Sequence, residues 1–380
     1  MSKILVSKYS DLTKKLYAKV LIDPQIPNFL KIINYTANLQ YFTSVCNIQV
    51  VTTFMPFFYK MNIAKKIIGD ELAIFESKFR ASVKSNVPLL DRIMQYIVKR
   101  KGKQLRPMFV LLSAKLAGGI NDATYRAASL VELLHTATLV HDDVVDESYE
   151  RRGFFSTYAL WKTKVSVLVG DYLLSKGLLL SLNGQDYRIL HILSDAVRQM
   201  SEGELLQIEK ARGLNINEDI YFEIIKTKTA SLLASACAAG AWSGAENEDI
   251  TEKLRQFGEY TGIAFQIKDD LFDYGTDNIG KPTGNDIKEK KLTLPLIYTL
   301  NHAGSSKRRE LIYIIKNQNR RKEKVNYVIE NVKQAGGIEY GTQKMMEYRD
   351  KALRVLHESP PSEIRDALEE MVNYTTDRKH

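Results

Sequence analysis

The sequence predicts an all-α fold. Three observations carry the prediction. From Met61 onward apolar residues recur at helical spacing, beginning with Ile67, Ile68, Leu72, Phe75 and Phe79. Strand-like alternation never extends beyond a few residues. Proline is scarce, 9 in 380 residues, which suits helices better than a strand-and-turn architecture. Ala-rich and Leu-rich stretches then predict helices at 107–118, 123–147, 157–182, 187–210, 218–243 and 249–274. Breaks fall at Gly118-Gly119, Arg152-Gly153, Asn183-Gly184, Gly213, Gly244 and between Gly280 and Gly284. The C-terminal part, 293–374, reads as shorter amphipathic helices with polar joints at Gly304-Ser305-Ser306 and Gly336-Gly337. One helical domain over 61–380 is the economical organisation. With 44% apolar and 26% charged residues, the composition excludes wholesale disorder, collagen-like repeats and a multispan membrane protein.

Residues 1–60 are an atypical extension. They hold no glycine and ten aromatic residues, and no charge occurs from Ile32 to Tyr59. Asn34, Asn38, Gln40, Asn47, Gln49 and Pro56 interrupt the apolarity a membrane anchor needs. A secretory signal wants a denser apolar core, and a transit peptide wants Arg, of which there is none. Three readings stay open: translation that starts at Met61, a poorly ordered extension, and an anchor or targeting segment. The formal charge of +9 divides into +5 for residues 1–60 and +4 for the rest. That distribution argues against a nucleic-acid-binding face. Two cysteines, Cys46 and Cys237, make no disulfide framework, which points to a reducing, cytoplasmic setting.

The most informative string is His141-Asp142-Asp143-Val144-Val145-Asp146-Glu147. Asp142 and Asp146 are four apart, so a helix places both carboxylates on one face, where they repel. A divalent cation relieves that repulsion, and hard oxygen ligands suit Mg²⁺. The bland alternative is a solvated acidic face. It is weakened by the lead-in, since Ala127 to Val140 is mostly apolar or small, with Glu132 its only acidic or basic charge. A second cluster, Lys268-Asp269-Asp270-Leu271-Phe272-Asp273, repeats the spacing 127 residues later. If the two helices face each other, their carboxylates form a clamp for several Mg²⁺ ions around a diphosphate, which is electrostatic catalysis of leaving-group departure.

Basic residues fall where such a site needs them. Gly102-Lys103-Gln104-Leu105-Arg106-Pro107 puts Lys103 and Arg106 just before a helix that Pro107 can open at its first turn. Arg151-Arg152-Gly153 follows the first acidic cluster, and Lys228-Thr229 leads into small and apolar residues. Arg offers phosphate a bidentate fork and Lys a point charge. Each alone reads as a solvated basic residue; with two acidic clusters they read as a diphosphate pocket. His135 precedes Asp142 by two helical turns and so shares its face, either as a satisfied core histidine or as a phosphate donor. No His-x-x-x-His or Cys-x-x-Cys pair supports zinc, and no phosphate-binding loop or dinucleotide fingerprint is present.

Taken together, Gly-Lys-x-x-Arg-Pro, Leu-His-x-x-x-x-x-His-Asp-Asp-x-x-Asp-x-x-x-x-Arg-Arg-Gly, Lys-Thr and Phe-Gln-x-x-Asp-Asp-x-x-Asp resemble the motifs of the trans-isoprenyl diphosphate synthases, in that family's order, over roughly residues 65–380. The nearest group is the long-chain octaprenyl or solanesyl type, which makes respiratory quinone side chains. The resemblance implies a helical bundle around a deep central cavity, a homodimer, and three Mg²⁺ per site with substrate bound. It implies metal ligation by Asp142, Asp143, Asp146, Asp269, Asp270 and Asp273. Isopentenyl diphosphate falls to Lys103, Arg106, His135 and Arg152, and the allylic diphosphate to Arg151, Lys228, Thr229, Gln266 and Lys268. Asp142, Asp146, Asp269, Lys228 and Arg151 are the implied catalytic set. The mechanism implied is ionisation, condensation and elimination in a water-free volume.

Ala137 and Thr138, one turn before Asp142, are the implied chain-length positions; Phe or Tyr there plugs the cavity, so these residues predict a long product. Transient contact with a membrane surface for product release accompanies this reading, and nucleic acid does not. One departure is local: where the family often has Gly-Lys-x-Thr-Leu-Pro, this chain has Lys290 in the glycine position. The alternatives are a farnesyl or geranylgeranyl synthase and the inactive partner subunit of a heteromeric synthase. Partner subunits lose acidic residues, and both clusters are intact here.

Overall fold

The computed structural model describes residues 61–99, 102–151, 153–213, 217–275 and 283–377. The expectations for residues 1–60, and the one for Arg152, lie outside the described residues.

The described chain is helical almost throughout. It opens with α1 (Asn62–Ser82), α2 (Pro88–Lys99), α3 (Leu105–Ala117) and α4 (Asp122–Val145). A hairpin of two-residue strands, β1 (Glu150–Arg151) and β2 (Phe154–Phe155), leads to α5 (Thr157–Asn183) and α6 (Tyr187–Gly213). Then come α7 (Glu218–Ile225), a π-helical turn (Lys226–Ala230), α8 (Ser231–Ala245) and α9 (Glu248–Phe272). The C-terminal part contains α10 (Asn285–Lys288), α11 (Leu294–His302), α12 (Ser305–Asn317), α13 (Lys322–Gln334), α14 (Gly337–His357) and α15 (Glu363–Asp377). Local chemistry sets the ends. Asn121 and Thr124 form a reciprocal capping box at the start of α4, with side-chain bonds of 3.1 and 3.2 Å. Asn217 and Asn247 cap α7 and α9 in the same acceptor role.

Two features depart from the periodicity. The 218–243 stretch is not one α-helix, because the π turn interrupts it. Helix α2 falls outside the predicted stretches: it is a short amphipathic helix whose Ile93, Met94 and Val98 are buried.

Helix α8 is the axis of the bundle, packing against α3, α4, α6 and α9. It can be buried nearly all round because its residues are small: Ala234, Ala236, Ala238, Ala239 and Gly240 among them. Two glycine pairs at i, i+4 let the backbones close in. Gly240 and Gly244 face the Val110 and Ala114 carbonyls of α3, while Gly258 and Gly262 of α9 face α8 and the π turn. A Cβ on Gly262 would stand 2.6 Å from the Ala230 Cα, inside van der Waals contact. This close approach brings the C-terminal end of α9 beside the π turn.

Candidate active site

Both acidic clusters sit at the C-terminal ends of long helices. Asp146 is the C-cap of α4, its N–H donating to the Asp142 carbonyl at 2.8 Å, so the two do share a helical face. Asp273 is the C-cap of α9, with a tighter last turn.

At the first end, Asp143 is only 3% exposed. Its Oδ1 accepts from Arg151 Nε at 2.6 Å, across the turn into the β1–β2 hairpin. Asp142 is less deeply enclosed and is half-buried. Burial raises its pKa above the carboxylate norm; the Lys228 charge opposes the rise, and Glu204 and Asp146 add to it. Lys228 itself, in the π turn, is ion-paired with Glu204 of α6 and lies 3.4 Å from Gln207 Oε1. Gly203 permits this, because any Cβ there would strike Thr227 and the Lys228 nitrogen. The His141 ring occupies the space that a side chain at Gly170 of α5 would fill, and its Nε2 lies 3.5 Å from Asp171.

At the second end, Asp270 is 7% exposed and is held by neutral donors. Tyr221 Oη donates to Oδ2 at 2.7 Å and Gln266 Nε2 donates to Oδ1 at 2.8 Å. Thr229 Oγ1 in turn donates to Gln266 Oε1 at 2.9 Å. Asp273 accepts the backbone N–H of Asn285 at 2.8 Å and of Asp286 at 3.2 Å, which folds the following segment back onto the helix end. Burial pushes Asp270 and Asp286 far above the usual carboxylate range, with Asp286 adding to the rise in Asp270 and Asp273 to that in Asp286. Burial alone would lower Lys291, but the charges of Glu289, Asp286 and Asp146 outweigh it and raise its pKa.

The two ends are thus electrostatically joined. The Lys228 charge holds down the pKa of Asp142 in the first, and Thr229 beside it is bonded into the second. Lys291, downstream of the second, feels Asp146 of the first. Glu204, Gln207, Tyr221, Asp286 and Lys291 belong to this constellation, and the sequence motifs give none of them a role. The one available signal is Lys291 in the Lys-Lys-Leu-Thr-Leu-Pro string.

Lys103 stands 5.2 Å over the Tyr374 ring of α15. Lys268 lies 5.2 Å over Phe272 of its own helix. Arg106 is in the first turn of α3, after Gln104 in the left-handed conformation, and His135 is half-buried in α4. Ala137 is 3% exposed and packs where α2, α4 and α5 meet, in one cluster with Met94, Val169 and Leu173. A bulky residue at 137 therefore meets packed side chains in this structure. Thr138, half-buried, bonds back to the His135 carbonyl at 2.9 Å.

The acidic oxygens fit a hard divalent cation. Among the described residues no three His, Cys, Asp or Glu side chains converge as a closed protein cage. Mg²⁺ is typically held by one or two carboxylates and completes its shell with water and substrate phosphate.

The polyprenyl synthetase family profile matches residues 87–332. Octaprenyl diphosphate synthase of Escherichia coli K12 is 34% identical over 313 residues, covering 81% of this chain and 96% of that protein. A decaprenyl diphosphate synthase from Rhodobacter capsulatus superposes with a TM-score of 0.80 at 34% identity, over 84% of this chain and 99% of that one. A polyprenyl synthase from Caulobacter crescentus CB15, solved with calcium and isoprenyl diphosphate, gives a TM-score of 0.79 at 33% identity, over 84% and 98%. An all-α bundle with two acidic helix ends, a third identical to these enzymes across nearly their whole length, belongs to the polyprenyl synthetase family and is a prenyltransferase.

Proposed function

We propose that the protein is an all-trans long-chain polyprenyl diphosphate synthase. It adds isopentenyl diphosphate head-to-tail onto an allylic diphosphate, for a respiratory quinone side chain. The synthase domain is residues 61–380. What supports the reading is the pair of acidic helix ends with Lys228, whose charge acts on Asp142, beside Thr229, which is bonded to Gln266 of the second end, and with Lys291 between Asp286 and Asp146 in charge.

Asp142, Asp146 and Asp269 are the residues that would hold Mg²⁺, three ions per site with substrate bound, while Asp143, Asp270 and Asp273 brace the helix ends. Bound Mg²⁺ supplies positive charge that favours departure of the diphosphate. Arg151 spends one N–H on Asp143 and keeps four for phosphate. Lys228, Thr229, Gln266 and Lys268 serve the allylic diphosphate; Lys103, Arg106, His135 and Arg152 serve isopentenyl diphosphate. The allylic C–O bond breaks with its electrons leaving on the diphosphate. The isopentenyl double bond attacks the allylic carbon, and the proton lost afterwards passes to the released diphosphate. The apolar flanks of α4 and α8 keep out the water that would quench the cation.

Exposed Leu160, Leu168, Leu179 and Leu182 on α5 support a homodimer seated on that helix. Among the described residues α5 alone is long and apolar enough to cross a membrane, yet it packs along α4. We place the enzyme in the cytoplasm, touching the membrane surface to release its apolar product. The test is incubation with isopentenyl diphosphate, farnesyl diphosphate and Mg²⁺, then mass analysis of the dephosphorylated products. Long-chain polyprenols are expected; geranylgeraniol alone refutes the long-chain assignment, and no elongation refutes the activity.

A further inference from the structure

We propose that Tyr221 is a positioning residue for the allylic-diphosphate side of the site, acting through Asp270, Gln266 and Thr229. The proposal rests on the prenyltransferase reading above. Its basis is a hydrogen-bond chain whose direction is fixed. Tyr221 is 4% exposed, and its hydroxyl takes one oxygen of Asp270 at 2.7 Å. The amide nitrogen of Gln266 takes the other at 2.8 Å. Because an amide nitrogen only donates and its oxygen only accepts, this bond dictates which way the Gln266 amide faces. Its oxygen is left to receive the Thr229 hydroxyl at 2.9 Å. The chain thereby runs from α7 through α9 into the π turn, whose adjacent residue, Lys228, is gripped by Glu204 and Gln207 of α6.

Tyr221 reaches the expected diphosphate ligands only through Asp270, yet it decides their geometry. Without its hydroxyl the Asp270 carboxylate is held on one oxygen only and can turn. The Gln266 amide then loses a fixed acceptor and with it a reason to offer its oxygen to Thr229. The π turn that presents Lys228 and Thr229 is loosened from α9. Arg106 and His135 stand on α3 and α4, while Tyr221, Asp270, Gln266 and Thr229 belong to α7, α9 and the π turn, so the loss is expected on the allylic side.

Tyr221→Phe removes the hydroxyl and keeps the ring. Tyr274→Phe is the matched control: Tyr274 is 1% exposed, sits beside the same acidic end, and bonds to Thr293 Oγ1 at 2.5 Å instead of to a carboxylate. Binding of the unreactive allylic analogue farnesyl S-thiolodiphosphate is measured calorimetrically at saturating Mg²⁺, with KM for both substrates. Tyr221→Phe is expected to weaken the analogue and raise KM for farnesyl diphosphate about tenfold, the upper worth of one buried hydrogen bond. KM for isopentenyl diphosphate stays at the wild-type value, and Tyr274→Phe changes neither. Wild-type analogue affinity in Tyr221→Phe, an equal loss in Tyr274→Phe, or an equal rise in both KM values overturns the proposal.

Should Tyr221→Phe not fold, Asp270→Asn cuts the same chain at its centre and is expected to show the same one-sided loss; a loss on both sides or on neither overturns the proposal. Where both fold, the double variant is no worse than Asp270→Asn alone, and additive losses count against the coupling. A wild-type protein that neither binds the analogue nor turns over refutes the prenyltransferase reading itself. Wild-type binding with an indifferent Tyr221→Phe refutes only the positioning role.

Discussion

The ends of α4 and α9 carry the same Asp-Asp-x-x-Asp spacing and solve the same problem differently. In both, the middle aspartate is the buried one: Asp143 at 3% and Asp270 at 7% exposure. The first is anchored by a cation, Arg151, on a short hairpin close in sequence. The second is anchored by neutral donors, Tyr221 and Gln266, in the interior. Both carboxyl groups find hydrogen-bond donors, but Asp270, which has no counter-charge beside it among the described residues, is pushed well above the usual carboxylate range. Under the proposed function the first-place aspartates, with Asp146, would hold the cations, and the motif would be two devices at once, an anchor and a set of ligands.

The largest test of this division is removal of a first-place carboxylate. Asp142→Ala and Asp269→Ala are each expected to lower turnover by about 10²-fold or more at saturating Mg²⁺, read by steady-state kinetics. Near-normal rates in either would remove the two-ended clamp.

A second contrast concerns the glycines beside each end. At Gly262 the obstacle to a Cβ is the Ala230 backbone, 2.6 Å away. At Gly170 it is the His141 ring, the far end of a half-exposed side chain that can swing outward. Gly262→Ala is expected to cost about 3 kcal/mol, and Gly170→Ala to stay within about 1 kcal/mol of wild type because helix propensity offsets the displaced ring. Urea unfolding measures both, and equal costs would erase the distinction.

Third, Arg151→Ala leaves Asp143 buried without its cation and is expected to destabilise by about 2 kcal/mol. Adding Asp143→Asn to that variant should restore part of the loss, since the stranded charge disappears. A double variant less stable than Arg151→Ala would show that the anchor is not electrostatic.

The smallest effect lies past the second end. Lys290 has φ 60°, and its N–H and that of Lys291 donate back to Ile287 and Asp286 at 3.1 and 2.8 Å. This is a Schellman closure of α10 with lysine where glycine is usual. Lys290→Gly is expected to stabilise by about 1 kcal/mol in the same unfolding assay. It explains the family's glycine at this position as a backbone requirement.

Much of this is legible in the chain. Helical spacing locates α1, α3 to α6 and α9 within a few residues, and the pairs Asp142/Asp146 and Asp269/Asp273 announce a shared face by their spacing alone. Partners distant in sequence are not legible. Nothing local to Asp270 reveals that its donor is Tyr221, 49 residues earlier, nor that Glu204 waits for Lys228. Ala137 shows the same limit: its small side chain is plain in the sequence, but which helices crowd it is not.

The π turn between α7 and α8 has a consequence beyond the residues it presents. A helix advances about 100° per residue, and a turn that closes over one extra residue rotates everything after it by that amount. Helices α7 and α8 are therefore one rod cut and rephased. The face that turns Tyr221 and Ile225 toward the interior beneath α9 is not continued along α8, which is free to be enclosed on every side. Deleting a single residue from Lys226–Ala230 would restore phase and swing Lys228 away from Glu204 and Thr229 away from Gln266.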